Sequence, residues 1–194
     1  MKAMTTQTIA YVTPDEYLAA ERLSESRSEY LDGVVCPMTG ASANHVQIVG
    51  NLTVELGTQL RARNCRFYPI DMKVRLPDSR KFFYPDVTVV CGELQFHDKR
   101  RDIILNPVLI FEVLSKSTEA FDRGAKFQAY QTIDSLKEYV LVAQDKPFVE
   151  QFVRQADGKW TYTSVAGLEG SLSLPSVECT LNLNAVYDKV DFDS

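Results

Sequence analysis

The chain has 194 residues, enough for one substantial core, and its composition (45% hydrophobic, 24% charged) is that of an ordinary globular protein rather than a fibrous or disordered one. Its 21 Lys and Arg against 26 Asp and Glu give a net charge of −5, which excludes a broadly basic nucleic-acid coat. Any phosphate chemistry must therefore rest on a local site. Four cysteines at Cys36, Cys65, Cys91 and Cys179 are too far apart for zinc-ligand spacing, and reduced thiols in a cytoplasmic protein are the expectation. The N-terminus lacks the apolar stretch of a signal peptide, and no run is long enough to span a bilayer.

Residues 1–10 read as a flexible tail, and one domain over 1–194 is expected. Thr13-Pro14-Asp15-Glu16 is a capping box with proline at the first helical position, opening a short helix through Ala20. Tyr30–Val35 reads as a strand with a turn marked by Gly33. From Asn44 to Arg63 a helix is predicted, because Val49, Leu52, Leu56 and Leu60 share one face. Strands are predicted at Arg66–Leu76 and Phe82–Val90, separated by the turn Pro77-Asp78-Ser79. Val108–Leu114 is continuously apolar apart from one acid, the mark of a central strand covered on both sides. A helix over Thr118–Thr132, a buried strand at Glu138–Val142 and a hairpin over Phe148–Val165 with an Asp157-Gly158 turn follow. One or two short strands from Leu172 and a closing helix near Asn184–Lys189 end the chain. The expected fold is α+β: a mixed, mostly four-stranded sheet flanked by helices, with an added C-terminal hairpin.

Two acids sit where folding alone would place apolar residues. Asp86 interrupts Phe82–Val90 and Glu112 interrupts Val108–Leu114. A carboxylate within a buried strand costs several kcal/mol (roughly) unless a cation or hydrogen bonds compensate it. Hard oxygen ligands suit Mg²⁺ or Mn²⁺, whereas an ordinary salt bridge is the plainer explanation.

The neighbourhood narrows this choice. Tyr84-Pro85-Asp86-Val87, Glu112-Val113-Leu114-Ser115-Lys116-Ser117-Thr118, Asp122-Arg123, Lys126, Tyr130 and Glu138-Tyr139-Val140-Leu141-Val142 together resemble the PD-(D/E)XK restriction-endonuclease-like superfamily, and within it the Uma-type family of predicted restriction endonucleases. Glu29–Gly33, His45 and Arg75–Asp78 extend the resemblance over nearly the whole chain. It implies a metal-dependent DNA endonuclease in which Asp86 and Glu112 hold Mg²⁺ or Mn²⁺, with DNA as partner, a homodimer as the working form, and cleavage that leaves a 5′-phosphate. Whether a methyltransferase accompanies it is open.

One departure matters. The signature places a lysine two residues after the glutamate, on the same strand face, and here Leu114 stands there. Lys126 is the candidate replacement, because Asp122, Lys126 and Tyr130 recur every four residues along one helical face. Phe121, Ala125, Ala129 and Ile133 form the adjacent apolar stripe, which would leave Lys126 at the margin of the buried face. Lys116 is a competitor. Glu29 would supply a further acid and His45 would line the cleft, as would Asp122 and Tyr130. Arg61, Arg63 and Arg66, and Lys99-Arg100-Arg101, are the basic clusters where phosphates would be expected. The rival reading is a degenerate nuclease fold that binds DNA or regulates without cutting, which the missing lysine and the acidic balance favour.

Overall fold

A computed structural model of the chain describes residues 11–78 and 80–192. The tail expected at 1–10, and Ser79 of the predicted turn, lie outside the described residues.

The first helix, α1 (Pro14–Glu21), is capped as its sequence dictates: the Thr13 side chain accepts the Glu16 N–H, and the Glu16 carboxylate accepts the Thr13 N–H at 2.8 Å. The strand expected at Tyr30–Val35 is instead a hairpin of β1 (Ser28–Leu31) and β2 (Val34–Pro37). Asp32 and Gly33 both have positive φ, which a tight turn matched to strand twist requires. A Cβ on Gly33 would stand 2.1 Å from the Tyr11 ring, so only glycine fits there. Helix α2 (Ala43–Leu60) begins at Ser42, whose hydroxyl accepts the His45 N–H at 3.1 Å. It lays Ile48, Val49, Leu52, Leu56 and Leu60 on the largest sheet, the six-stranded one, each side chain contributing about 1.5–3 kcal/mol by leaving water.

The predicted strands at 66–76 and 82–90 each break in two. β3 (Cys65–Pro69) and β4 (Lys73–Arg75) belong to different sheets, as do β5 (Lys81–Phe83) and β6 (Val87–Cys91). With β7 (Ile103–Ile104), one sheet has the order β2-β1-β5-β4-β7. The other runs β11-β10-β9-β8-β6-β3, and contains β8 (Leu109–Leu114), β9 (Glu138–Ala143), β10 (Phe148–Arg154) and β11 (Trp160–Ala166). Strands β9, β8, β6 and β3 are the expected four-stranded mixed sheet, and β10–β11 is the expected added hairpin. β8 is buried along its whole length, antiparallel to β6 and parallel to β9. The chain crosses between sheets at Ile70–Met72 and again at Tyr84–Asp86, and the two crossings are tied by the Ile70 N–H donating to the Asp86 carbonyl at 2.9 Å. Asp86 therefore stands in a connection rather than in mid-strand. Ile70 and Asp71 both take left-handed backbone, φ 37° and 60°, at a cost of about 1–3 kcal/mol for a β-branched residue such as Ile70.

The predicted helix over 118–132 is shorter and irregular. It opens as α3 (Glu119–Phe121), widens into a π-helical turn at Asp122–Lys126, and closes as α4 (Phe127–Tyr130). Of the expected stripe, Ile133 is buried and Phe121 and Ala129 pack against the core, but Ala125 is exposed, and the buried face also carries Asp122, Lys126, Phe127 and Tyr130. The wider turn rotates Lys126 inward, and Tyr139 secures it by donating its hydroxyl to the Asp122 carbonyl at 3.0 Å. The chain ends with β12 (Ser171–Leu174), β13 (Cys179–Asn182) and α5 (Leu183–Val186). Buried Glu138 links this segment to β9 and β10, accepting from the Ser176 N–H and hydroxyl and from the Gln151 amide.

The expectation of reduced thiols is corrected at one pair. Cys65 and Cys91 lie directly opposite each other on β3 and β6 and form a disulfide, whereas Cys36 and Cys179 are free. The pairing depends on strand register, which cysteine spacing does not reveal. It closes a loop of 26 residues, so replacing both cysteines by serine should cost about 3 kcal/mol, read as a lower denaturation midpoint. Among the described residues, no helix is long and apolar enough to cross a membrane.

Candidate active site

Three elements converge on the end of the central strand. Extending the β6–β8 register from Val87↔Phe111 by one residue places Asp86 opposite Glu112. The turn into β6 is locked by its own carboxylate: Asp86 Oδ2 accepts the Val113 N–H at 2.7 Å, and Oδ1 meets His45 Nε2 at 2.8 Å. His45 reaches it from the first turn of α2, which the Ser42 cap positions. Burial lowers the His45 pKa, but the Asp86 hydrogen bond and charge outweigh it and leave the pKa raised overall.

On the other side of Glu112 stands Lys126. Its ammonium lies 3.0 Å from Glu112 Oε1, 3.0 Å from Glu29 Oε1 and 3.4 Å from Asp122 Oδ1. The Tyr130 hydroxyl donates to Glu112 Oε1 at 3.1 Å, and the Tyr84 N–H donates to Glu29 Oε1 at 3.1 Å. Glu112, Asp122 and Lys126 are buried, at 3, 2 and 5% exposure, whereas the side chains of Asp86, Glu29 and His45 keep 14, 12 and 16%. The site therefore opens on the side of the latter three. Burial pushes the Glu112 carboxyl well above its ordinary pKa of 4.5; the Lys126 charge opposes this, and the charges of Asp122, Asp86 and Glu29 add to it. For Lys126, burial favours the neutral amine, but the charges of Glu112, Glu29 and Asp122 prevail and hold its pKa well above 10.5. At neutral pH it is an ammonium.

All seven expected residues, Glu29, Asp86, His45, Glu112, Asp122, Lys126 and Tyr130, thus come together. Lys116 does not join them: it is exposed in a cleft of about 520 Å³ beyond the ends of β8 and β9, lined also by Ser42, Asn44, Ser115 and Lys146. The basic clusters do not join either. Arg66 pairs with Val90, four residues along β6 from Asp86, which is about 13 Å at strand spacing. Arg63 is bonded to Glu178, and Arg101 stacks on Phe96. Tyr84 and the Val113 N–H are contributors that sequence reasoning missed as participants. Tyr84 stands within the quoted Tyr84-Pro85-Asp86 motif, which was the available signal.

The donor set suits a hard divalent cation. Asp86 and Glu112 stand opposite each other in register and the Asp86 charge acts on Glu112; both offer oxygen ligands only, and Mg²⁺ or Mn²⁺ needs no more than one or two carboxylates, the rest being water. The raised pKa of Glu112 marks a buried acid whose ionised form gains from added positive charge. Among the described residues no three acids, histidines or cysteines already converge as a metal cage, because the Lys126 ammonium occupies the space between Glu29, Glu112 and Asp122. Two carboxylates and waters are the arrangement that fits.

Tyr130 offers a direct check on the cluster. Tyr130→Phe removes one of the donors to Glu112 Oε1 inside the core, and should cost about 1–3 kcal/mol in chemical denaturation. A variant as stable as the wild type would mean that the bond contributes nothing.

Residues 14–185 match the Uma2 family model, described as "Putative restriction endonuclease". Two proteins of Synechocystis sp. strain PCC 6803 are similar along most of their length. Sll1609 is 37% identical over 164 residues, 84% of this chain and 93% of that protein, and slr1290 is 30% identical over 181 residues, 93% and 94% respectively. A crystal structure from Anabaena variabilis, titled a putative nuclease belonging to DUF820, superposes with a TM-score of 0.72 at 16% identity and covers 91% of this chain and 97% of that one. That likeness shows a shared α+β fold, and the matched family model shows the lineage: the chain belongs to the Uma2 family of putative restriction endonucleases.

Proposed function

We propose that the chain is a metal-dependent phosphodiesterase of the PD-(D/E)XK type that cuts DNA. The observation that carries this reading is the Lys126 ammonium 3.0 Å from Glu112, on the strand beside Asp86. It supplies from the π-helical turn the lysine that Leu114 displaces from the usual position.

Asp86 and Glu112 would hold Mg²⁺ or Mn²⁺. When bound, the cation lowers the pKa of a coordinated water and draws charge from the scissile phosphate. His45 and the Val113 N–H fix both oxygens of Asp86, so that carboxylate needs little reorganisation on binding. Lys126 is protonated at neutral pH, which makes it a donor rather than a base. It orients the attacking water or a phosphate oxygen and stabilises the negative charge that builds up as the P–O bond breaks. Glu29 and Asp122 keep it charged and point it at Glu112. Hydrolysis in this family's manner leaves a 5′-phosphate, and a homodimer would present two such sites to two strands.

A second reading, a DNA-binding module without cleavage, draws on the acidic balance of the chain. Calorimetric titration with Mn²⁺ separates the proposal from a purely structural acid cluster. The wild type should bind with measurable heat and Asp86→Ala should lose it; identical isotherms would remove Asp86 from the site. Metal-dependent DNA binding without cleavage would favour the module.

A further inference from the structure

Ile70 is out of place by every local rule. It sits at φ 37°, a backbone region that glycine, asparagine and aspartate tolerate and β-branched residues avoid. The crossing from β3 to β4 explains the backbone: the chain must turn sharply, the Met72 N–H donates back to the Ile70 carbonyl at 2.7 Å, and the Ile70 N–H holds the Asp86 carbonyl. It does not explain the side chain. Isoleucine is the wrong residue for that turn unless its apolar group is wanted, and packing does not want it, because Ile70 is 55% exposed. Its surroundings are equally unusual for a surface. Asp71 pairs with Arg27 at 3.1 Å, and the Arg27 carbonyl accepts the N–H of Met38, another exposed apolar residue. The turn that carries Ile70 is therefore held on one side by the Arg27–Asp71 ion pair and on the other by the Asp86 carbonyl, the backbone of a residue whose carboxylate belongs to the cluster suited to phosphate chemistry.

We infer that Ile70 is a substrate-contact residue that packs its side chain against a nucleobase beside the scissile phosphate. The inference rests on the proposed function, since it takes the Asp86–Glu112 end of the sheet to face nucleic acid. Apolar side chains wedged against base steps are a known means of holding and distorting a duplex, and the contact is insensitive to sequence because every base has an apolar face. Strain maintained at an exposed position is consistent with a role in binding rather than folding. Ile70 is preorganised: its backbone is clamped at the N–H by Asp86 and at the C=O by Met72, so little freedom is lost on contact.

The test is Ile70→Gly, which suits the left-handed backbone and should leave the melting temperature unchanged or raise it. Two probes are read. Duplex DNA carrying 2-aminopurine, titrated in EDTA, reports base unstacking without cleavage; bis(p-nitrophenyl) phosphate with Mn²⁺ reports the phosphodiesterase site without any base. The wild type should brighten 2-aminopurine on binding, and the glycine variant should lose that signal and weaken DNA cleavage about tenfold, the order expected for one lost base contact. Hydrolysis of the small diester should stay within about twofold. An equal fall on both substrates would overturn the inference, because Ile70 would then act only through the Asp86 turn. An undiminished 2-aminopurine signal in the variant would overturn it as well. Failure of the phosphodiesterase reading looks different: the wild type would hydrolyse neither substrate while the unstacking signal still depended on Ile70. A wild type that neither binds nor unstacks DNA would overturn both.

Discussion

Lys126→Met should destabilise the metal-free protein by about 3–5 kcal/mol, the usual consequence of stripping a buried ion pair of one partner. The lysine serves three carboxylates at once, Glu29, Glu112 and Asp122, and two of these are almost wholly buried. Methionine fills the volume of the stem, so the loss isolates charge from packing. The pH dependence follows from Glu112. Its pKa in the folded protein is raised, so its contribution to stability is greatest below its ordinary value of 4.5 and is lost as pH rises through the higher folded value. Without Lys126 to oppose the shift, that pKa rises further. The variant's deficit should therefore be small near pH 4.5 and grow as pH increases. Urea denaturation of both proteins across that range, in EDTA, checks the claim. A deficit below about 1 kcal/mol at neutral pH would mean that the cluster is solvated like a surface pair.

Glu112→Gln should separate activity from stability in the opposite sense. The amide keeps the shape and still accepts from Tyr130, but it binds a hard cation poorly, so DNA cleavage should fall on the order of 10²-fold or more. Folding should be unchanged or improved. Four carboxylates, Glu29, Asp86, Glu112 and Asp122, gather here around one lysine and one histidine, so removing one negative charge relieves repulsion, while Lys126 keeps Glu29 and Asp122 as partners. Thermal denaturation beside a cleavage assay reads both arms. A variant destabilised by about 3 kcal/mol would instead mark Glu112 as an indispensable structural partner of Lys126.

Much of the scaffold was legible because local chemistry and fold agree. The capping box at Thr13, the Val49–Leu60 stripe, the unbroken apolar run of β8 and the Asp157-Gly158 turn each point to the element that forms. The second sheet was hidden because alternation along a strand does not reveal which sheet the strand joins. β3 and β4, like β5 and β6, read as continuous strands, and the first crossing turns on Ile70, a β-branched residue that reads as strand although Pro69 and Asp71 flank it. The Cys65–Cys91 bond depends on a register between strands 26 residues apart. In the site, Asp86 and Glu112 stood out as acids in apolar runs, whereas the depth of Lys126 did not follow from a period of 3.6 residues. A π-helical turn carries it inward, and the acid that meets it from β1, Glu29, lies nearly a hundred residues earlier in the chain.

Cleavage of supercoiled plasmid DNA by the purified chain, with Mg²⁺ or Mn²⁺ and with EDTA, decides whether Asp86, Glu112 and Lys126 form a working phosphodiesterase centre. Nicked or linear product should form with the metal, should be absent in EDTA, and should be absent with Glu112→Gln under the same conditions. Intact plasmid with every cation, or product formed equally by Glu112→Gln, would contradict the assignment of Asp86, Glu112 and Lys126 as a metal-dependent phosphodiesterase centre.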